Sequence, residues 1–422
     1  MIGTEFRLDK LRAGIFVIAI FLLGMPLEGV IPTPPGNSRE TVRIDFVDKA
    51  GDEKLNTTII WSTLYLTSFL LLLHRRTNAR AAFLRQPFVF VVAVLVGISA
   101  IWSGEGTKAL VTAIQLLGAS AVALTACVRY ATRPMELLAH AAWALGLNQL
   151  VNLASILFLP GDTIHPDGRW AGVTGSANYL GALAFCGAWA TAAMLLRKSA
   201  KSRFPYLVLF IFSIVSLYGS GSVTSTVSAA IAITALLYYS PLGSGVRFSV
   251  GKRAIIILAV LLLSVIGTTY GISHVFELFG RRSDFSGRVD IWEGGISLFR
   301  ERPLIGHGYG SDTESLGVTH WATSFHNGYL DIAVKLGSFG MLALGAVFFR
   351  FWHHLMILRQ TAFAGSVRYT AAFAVGVFVY NLTEAAFLGA RNPTWLILLV
   401  LIYTAALQSS RRVSLKSVGK YG

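Results

Sequence analysis

Apolar runs of roughly 17–25 residues, each enough to cross a bilayer as a helix, recur along nearly the whole chain. Such a sequence has few folds open to it. In hydrocarbon every backbone polar group must be satisfied internally, so helices or a closed barrel are required. Runs of this length and apolarity read as spanning helices. They predict an all-α, polytopic transmembrane helical bundle of about 12 spans. The spans are 13–30, 58–73, 87–102, 109–128, 135–158, 176–196, 205–219, 222–240, 254–272, 326–349, 369–387 and 394–408. Only an SGSVT stretch separates the seventh from the eighth.

Composition agrees. The chain is 54% hydrophobic and 14% charged, where soluble domains carry roughly 25% charged residues. Because the runs extend throughout, residues 1–422 read as a single integral membrane domain. The run after MIGTEFRLDKLR ends in MPLEGVIPTPPG without a small-x-small cleavage pattern, so it reads as an uncleaved first helix. Cys127 and Cys186 fall inside apolar runs and define neither a metal site nor a disulfide framework.

The net charge of +15 does not indicate nucleic-acid binding, since no nucleic-acid motif is present. Its distribution indicates topology instead. Arg75, Arg76, Arg80 and Arg85, then Arg197, Lys198, Lys201 and Arg203, then Lys252 and Arg253, and finally Arg411, Arg412, Lys416 and Lys420 fall on one side. The positive-inside rule makes that side cytoplasmic and places both termini there. The opposite side contains the 273–325 loop, between spans 9 and 10, which is also rich in basic residues. Topology does not account for that excess.

This loop and the span after it hold Arg281, Arg282, Arg288, Arg300, Arg302, His307, His320 and His326, with Asp331 and Lys335 beyond. Such a concentration suits an anionic ligand at the membrane surface. His326 can exchange a proton near neutral pH; equally, it reads as an interfacial histidine with Asn327 as a helix cap. Gly337 and Gly340 lie on one helix face and predict close approach of a neighbouring helix. Arg281 and Arg282 suit a diphosphate, a headgroup or an acidic glycan. The glycines at 306, 308 and 310 favour irregular backbone whose N–H groups suit anions.

Glu384, inside a predicted span, is an expensive residue to bury. It reads either as a structural polar contact or as a group that orients an arginine or an acceptor, with Arg391 near enough to pair. Asn148, Gln149 and Asn152 read as interhelical hydrogen-bonding groups. The irregular spacing of His307, His320 and His326 argues against a metal site, and no Asp-x-Asp occurs in the outer loops.

His326-Asn327, nine residues, Gly337, two residues and Gly340, preceded by GRVDIW and RPLIGHGYG, resemble the O-antigen ligase and polysaccharide polymerase superfamily. The resemblance is specific across about 285–340. More loosely, RWAGVTGSANYLG at 169–181 resembles the family's Arg-x-x-Gly…Asn segment. LYGSGSVTSTVSA at 217–229 resembles its Ser/Thr-rich turn, without the arginine often found there. NLTEAAF and NPTW resemble its closing helices.

The resemblance implies a GT-C-like, metal-independent, inverting glycosyltransferase that needs no cofactor and works at the periplasmic face of the bacterial inner membrane. Its donor would be an undecaprenyl diphosphate-linked glycan. The acceptor would be a second lipid-linked repeat, lipid A-core or a protein hydroxyl, with exopolysaccharide-type polymerisation favoured by IWSGEGTKAL and RWAGVTGSANYLG. By position, His326 resembles the general base and Arg288 an arginine that binds the donor diphosphate. Arg169 resembles a second such arginine. Asn327, Glu384, Arg281 and Arg282 are supporting candidates. A lipid-linked glycan transporter would use the same arginines without needing a base. A structural or assembly subunit would need neither.

Overall fold

The computed structural model describes residues 50–74, 76–197, 203–239, 288–320, 322–359 and 363–418. Among these the fold is all-helical, apart from one isolated bridge between Ile164 and Trp170. In chain order the helices are α1 (Ala50–His74), α2 (Arg76–Arg85), α3 (Phe88–Ile98), α4 (Gly106–Tyr130), α5 (Pro134–Phe158), α6 (Ala177–Leu195), α7 (Phe204–Ser220) and α8 (Val223–Tyr239). After them come α9 (Arg288–Glu301), α10 (Gly328–Leu358), α11 (Ala364–Tyr380) and α12 (Pro393–Val418). The expected spans 13–30 and 254–272 lie outside the described residues, as do Arg281 and Arg282.

Among the described residues, four helices (α4, α5, α6 and α10) are long and apolar enough to cross a membrane, or five if the bent pair α2–α3 counts as one. The protein is therefore a multi-pass membrane protein. Shorter apolar helices lie in α1, α7, α8 and α12. The break between α2 and α3 bends the chain by 76° at Gln86-Pro87, where proline removes a helix-continuing N–H. The buried Gln86 side chain donates to the Val347 carbonyl at 2.8 Å, fastening this elbow to α10.

Helix α6 is the centre of the bundle and packs against α5, α7 and α8. Its sequence, ANYLGALAFCGAWATAAML, is buried almost throughout. Small residues allow this by letting neighbouring helices approach closely on several sides. A Cβ at Gly187 would come within 2.7 Å of the Ser213 hydroxyl on α7. The turn dividing α7 from α8 is the SGSVT stretch, where Gly221 caps α7 in the left-handed region at φ +58°.

Helix α10 is not continuous. At Gly337 (φ 62°, ψ −160°) its backbone leaves the helical region. The carbonyls and amides freed there are taken up by the turn segment 303–308. His307 N donates to Val334 O at 2.8 Å and Gly308 N to Lys335 O at 2.9 Å, while Ser338 N donates to Pro303 O at 2.8 Å. This corrects two expectations. Gly337 admits a backbone strap, not a neighbouring helix, and Gly340 faces its own helix at Leu336. The amides of His307 and Gly308 serve α10, not an anion.

The expected span 369–387 is also corrected. Helix α11 ends at Tyr380, and Asn381 caps it. The buried Asn381 Oδ1 accepts from Ala386 N and Phe387 N, both at 2.9 Å. These bonds turn the chain, so Glu384 lies in a connection at the bundle end, not within a helix.

Candidate active site

The termini of α5–α6, α7–α8, α9, α10 and α11 meet at one end of the bundle, and the candidate residues lie there. Helix α9 opens on Arg288. Its Nη1 donates to the Thr383 carbonyl at 2.6 Å and its Nη2 lies 2.9 Å from Glu384 Oε1. His326 precedes α10, with Nδ1 3.5 Å from Glu384 Oε2. One carboxylate thus stands between the arginine and the histidine. All three side chains are largely buried, at 18% exposure for Arg288, 22% for His326 and 12% for Glu384.

Arg169 joins the group through one intermediary. Its Nη2 donates to Asn178 Oδ1 at 2.5 Å, and Asn178 Nδ2 donates to Glu384 Oε1 at 3.2 Å. Its Nε donates to the Ser220 carbonyl at 2.9 Å. Burial lowers the Arg169 guanidinium below its ordinary value, with Asp167 and Glu384 opposing this and Arg288 adding to it. A guanidinium so far above neutrality keeps its charge.

The sequence sets each of these positions locally. The connection bearing Arg169 is pinned by Trp170 N donating to Gly219 O at 2.8 Å, and the Trp170 ring occupies the space a Cβ on Gly219 would need. Asn152 Oδ1 accepts from Val173 N at 3.1 Å, tying the same connection to α5. Along α5, Asn148 accepts from Gln149 Nε2 at its Oδ1 and from Asn152 Nδ2 at both its Oδ1 and its backbone carbonyl. This trio therefore braces one helix and the loop above it; the expected bonds between helices are not the ones formed.

His326 takes a positive φ of 47°, a conformation uncommon outside glycine. Asn327 then caps α10, its Oδ1 accepting from Tyr329 N and Leu330 N, both at 3.0 Å. Next, Gly328 N donates to the carbonyls of Asn381 at 2.8 Å and Glu384 at 3.0 Å. The histidine and the carboxylate are thereby held by one backbone junction. Below it, the buried pair Asp331–Lys335 (2.9 Å) closes one turn of α10, with Lys335 Nζ 5.2 Å from the centre of the Tyr309 ring.

Other candidates are placed elsewhere. His307 Nε2 lies 2.9 Å from the Leu298 carbonyl, and His320 is exposed near Glu314 at 3.7 Å, so neither shares the Glu384 cluster with His326. Arg300 and Arg302 are exposed about the C-terminal end of α9. Asn178 and the Thr383 carbonyl belong to the site but were not singled out from sequence, although RWAGVTGSANYLG and NLTEAAF contain them.

Residues 208–345 match the family described as O-antigen ligase. The chain carries an O-antigen ligase domain over that stretch. The match takes in α7 to the first half of α10, with Arg288 and His326 inside it. Arg169, Asn178 and Glu384 lie outside it, brought in by the fold. No curated protein matches the chain.

Proposed function

We propose that this protein is an inner-membrane glycosyltransferase that moves a glycan from an undecaprenyl diphosphate-linked donor to an acceptor hydroxyl at the periplasmic face, polymerising surface-polysaccharide repeats. One observation carries the reading: Arg288 and His326 share the Glu384 carboxylate, at 2.9 and 3.5 Å, with Arg169 one side chain away. A cationic clamp and a titratable base beside each other are what this transfer requires.

The leaving diphosphate needs its growing charge stabilised. Arginine forks bind phosphate oxygens in two places at once, and preorganised cations can serve that purpose without a metal ion. The acceptor hydroxyl needs a base as its bond to the sugar forms. A neutral imidazole within hydrogen-bond reach supplies one. Attack from the face opposite the departing diphosphate inverts the anomeric carbon.

Topology supports the outward site. The opposite bundle end carries Arg80, Arg85, Arg129, Arg133, Arg197, Arg203, Arg350 and Arg359, which the positive-inside rule assigns to the cytoplasm. In this reading residues 1–422 form one membrane domain of about 12 spans, both termini are cytoplasmic, and 273–325 is a periplasmic loop.

The test is transfer by the purified protein in liposomes from a lipid-diphosphate glycan, with chelator present. The acceptors offered are a second lipid-linked repeat, lipid A-core and a hydroxyl-bearing peptide. Extension of the lipid-linked repeat is expected, and transfer to another acceptor alone would reassign the acceptor. His326→Ala is expected to abolish transfer and leave donor binding within a few-fold. Normal transfer by that variant would overturn the assignment and favour a transporter.

A further inference from the structure

We infer that Glu384 competes with a donor phosphate for Arg288, and that donor binding hands its carboxylate from Arg288 to His326. The inference rests on the function proposed above and adds an order of events to it.

The two oxygens of Glu384 are unequally engaged. Oε1 accepts from Arg288 Nη2 at 2.9 Å and from Asn178 Nδ2 at 3.2 Å. Oε2 lies 3.5 Å from His326 Nδ1, longer than a good hydrogen bond. The carboxylate therefore belongs chiefly to the arginine.

Arg288 is held at one nitrogen by a neutral acceptor, the Thr383 carbonyl, and at the other by the Glu384 charge. An arriving diphosphate carries more negative charge than one carboxylate and offers oxygens at fork spacing. It competes with Glu384 for Nη2 and leaves the Thr383 bond in place. The neighbouring Arg169 draws the same phosphates.

Glu384 then faces His326 from before α10, Asn178 on α6, Tyr380 at the end of α11 and the field of Arg169. Of these, the His326 Nδ1–H is the donor left to strengthen. Shortening that contact fixes the imidazole tautomer with its lone pair on Nε2. It also stabilises the imidazolium as the reaction proceeds. The acceptor proton passes to Nε2, and the acceptor oxygen bonds to the anomeric carbon. The bond from that carbon to the phosphate oxygen breaks, its electron pair leaving with the lipid diphosphate. The imidazolium later returns its proton to water. Glu384 is thus a positioning residue that arms the base only when the donor is present, which limits wasteful transfer to water.

Glu384→Gln separates this from a purely structural role. In full-length protein, undecaprenyl diphosphate is the binding probe and glycan transfer the turnover readout. The variant is expected to bind the diphosphate at least as tightly as the wild type, because a competitor for Arg288 has lost its charge. Its kcat is expected to fall by about 10²–10⁴-fold, the usual contribution of a positioned base. A parallel loss of affinity and kcat would mean that Glu384 merely holds Arg288 in place, and wild-type kcat would mean that His326 does not depend on it; either overturns the inference. Should the Gln variant not be recovered folded, Glu384→Asp, with its shorter reach, is expected to show the same split at smaller size. His326→Ala keeps the two proposals apart. If it still transfers glycan, the proposed function itself fails. If it is inactive while Glu384→Gln turns over normally, only this inference does.

Discussion

The backbone of Leu304 runs against the Cα of Gly337, at the one described residue where α10 departs from helical geometry. This contact joins the loop that follows α9 to the helix that begins just after His326. The strap at 303–308 completes the hydrogen bonding of the broken turn, so loop and helix hold each other's geometry.

Gly337→Ala is expected to destabilise the protein by at least about 2 kcal/mol. The conformation at φ 62°, ψ −160° is open essentially to glycine alone and costs about 1–3 kcal/mol otherwise. The new Cβ would also press into the Leu304 backbone. Thermal unfolding in detergent, with protease cleavage in 302–320, checks this. An unchanged melting temperature with an intact strap would contradict it.

Asn381→Ala should damage the site from behind. The side chain bonds to Val377 O, Ala386 N and Phe387 N from a fully buried position. Truncation leaves two buried amides unsatisfied, at about 1–3 kcal/mol each. Stability should fall, and with it transfer activity, because Glu384 sits within the turn those amides close. Wild-type activity in a variant that melts lower would show that the turn keeps its shape without the bonds.

The loop's far edge should respond to acid. Lys108 Nζ lies 2.7 Å from Asp312 Oδ2. Burial on its own would raise the Asp312 carboxyl, but bonds from Lys108 and Ser315 outweigh this and hold it at about 2. A carboxyl depressed below its unfolded value of roughly 3.9 adds stability that is complete above about pH 4. That stability is lost as pH falls through the folded value near 2. Lys108 is half exposed, so the effect is small, about 1 kcal/mol or less. Amide protection in 308–318, taken relative to the intrinsic exchange rate at each pH, should fall between pH 4 and pH 2, and Asp312→Asn should remove that dependence.

Much of the fold and site was legible because it follows from local pattern. Helices α4, α5 and α6 begin and end within a few residues of the apolar runs that predicted them. Arg288 and His326 stood out in and just after a loop rich in basic residues, and Arg169 through the family resemblance. Glu384 was visible as a costly residue but was assigned to a helix, since NLTEAAF continues the apolarity of α11. Only the bonds that the Asn381 side chain accepts from Ala386 N and Phe387 N reveal the turn. Gly337 and Gly340 carry helix-packing spacing, and nothing nearby in sequence announces that Leu304 crosses there. Asn178 bridges residues more than 200 positions apart, a relationship that one chain's periodicity does not encode.

Arg288→Lys tests whether the fork matters as well as its charge. Lysine keeps the positive charge but cannot donate in one plane to both Thr383 O and an anion, as Arg288 does now through Nη1 and Nη2. Losing one charge-assisted bond costs about 1.5–3 kcal/mol, roughly a ten- to hundredfold loss of affinity. Undecaprenyl diphosphate binding should weaken by that factor. Transfer at saturating donor should also fall, because in the proposed reaction the same bond stabilises the leaving group as its charge grows. A variant with weakened binding but full kcat would confine Arg288 to capturing the donor, and the stabilisation of the departing diphosphate would then fall to Arg169.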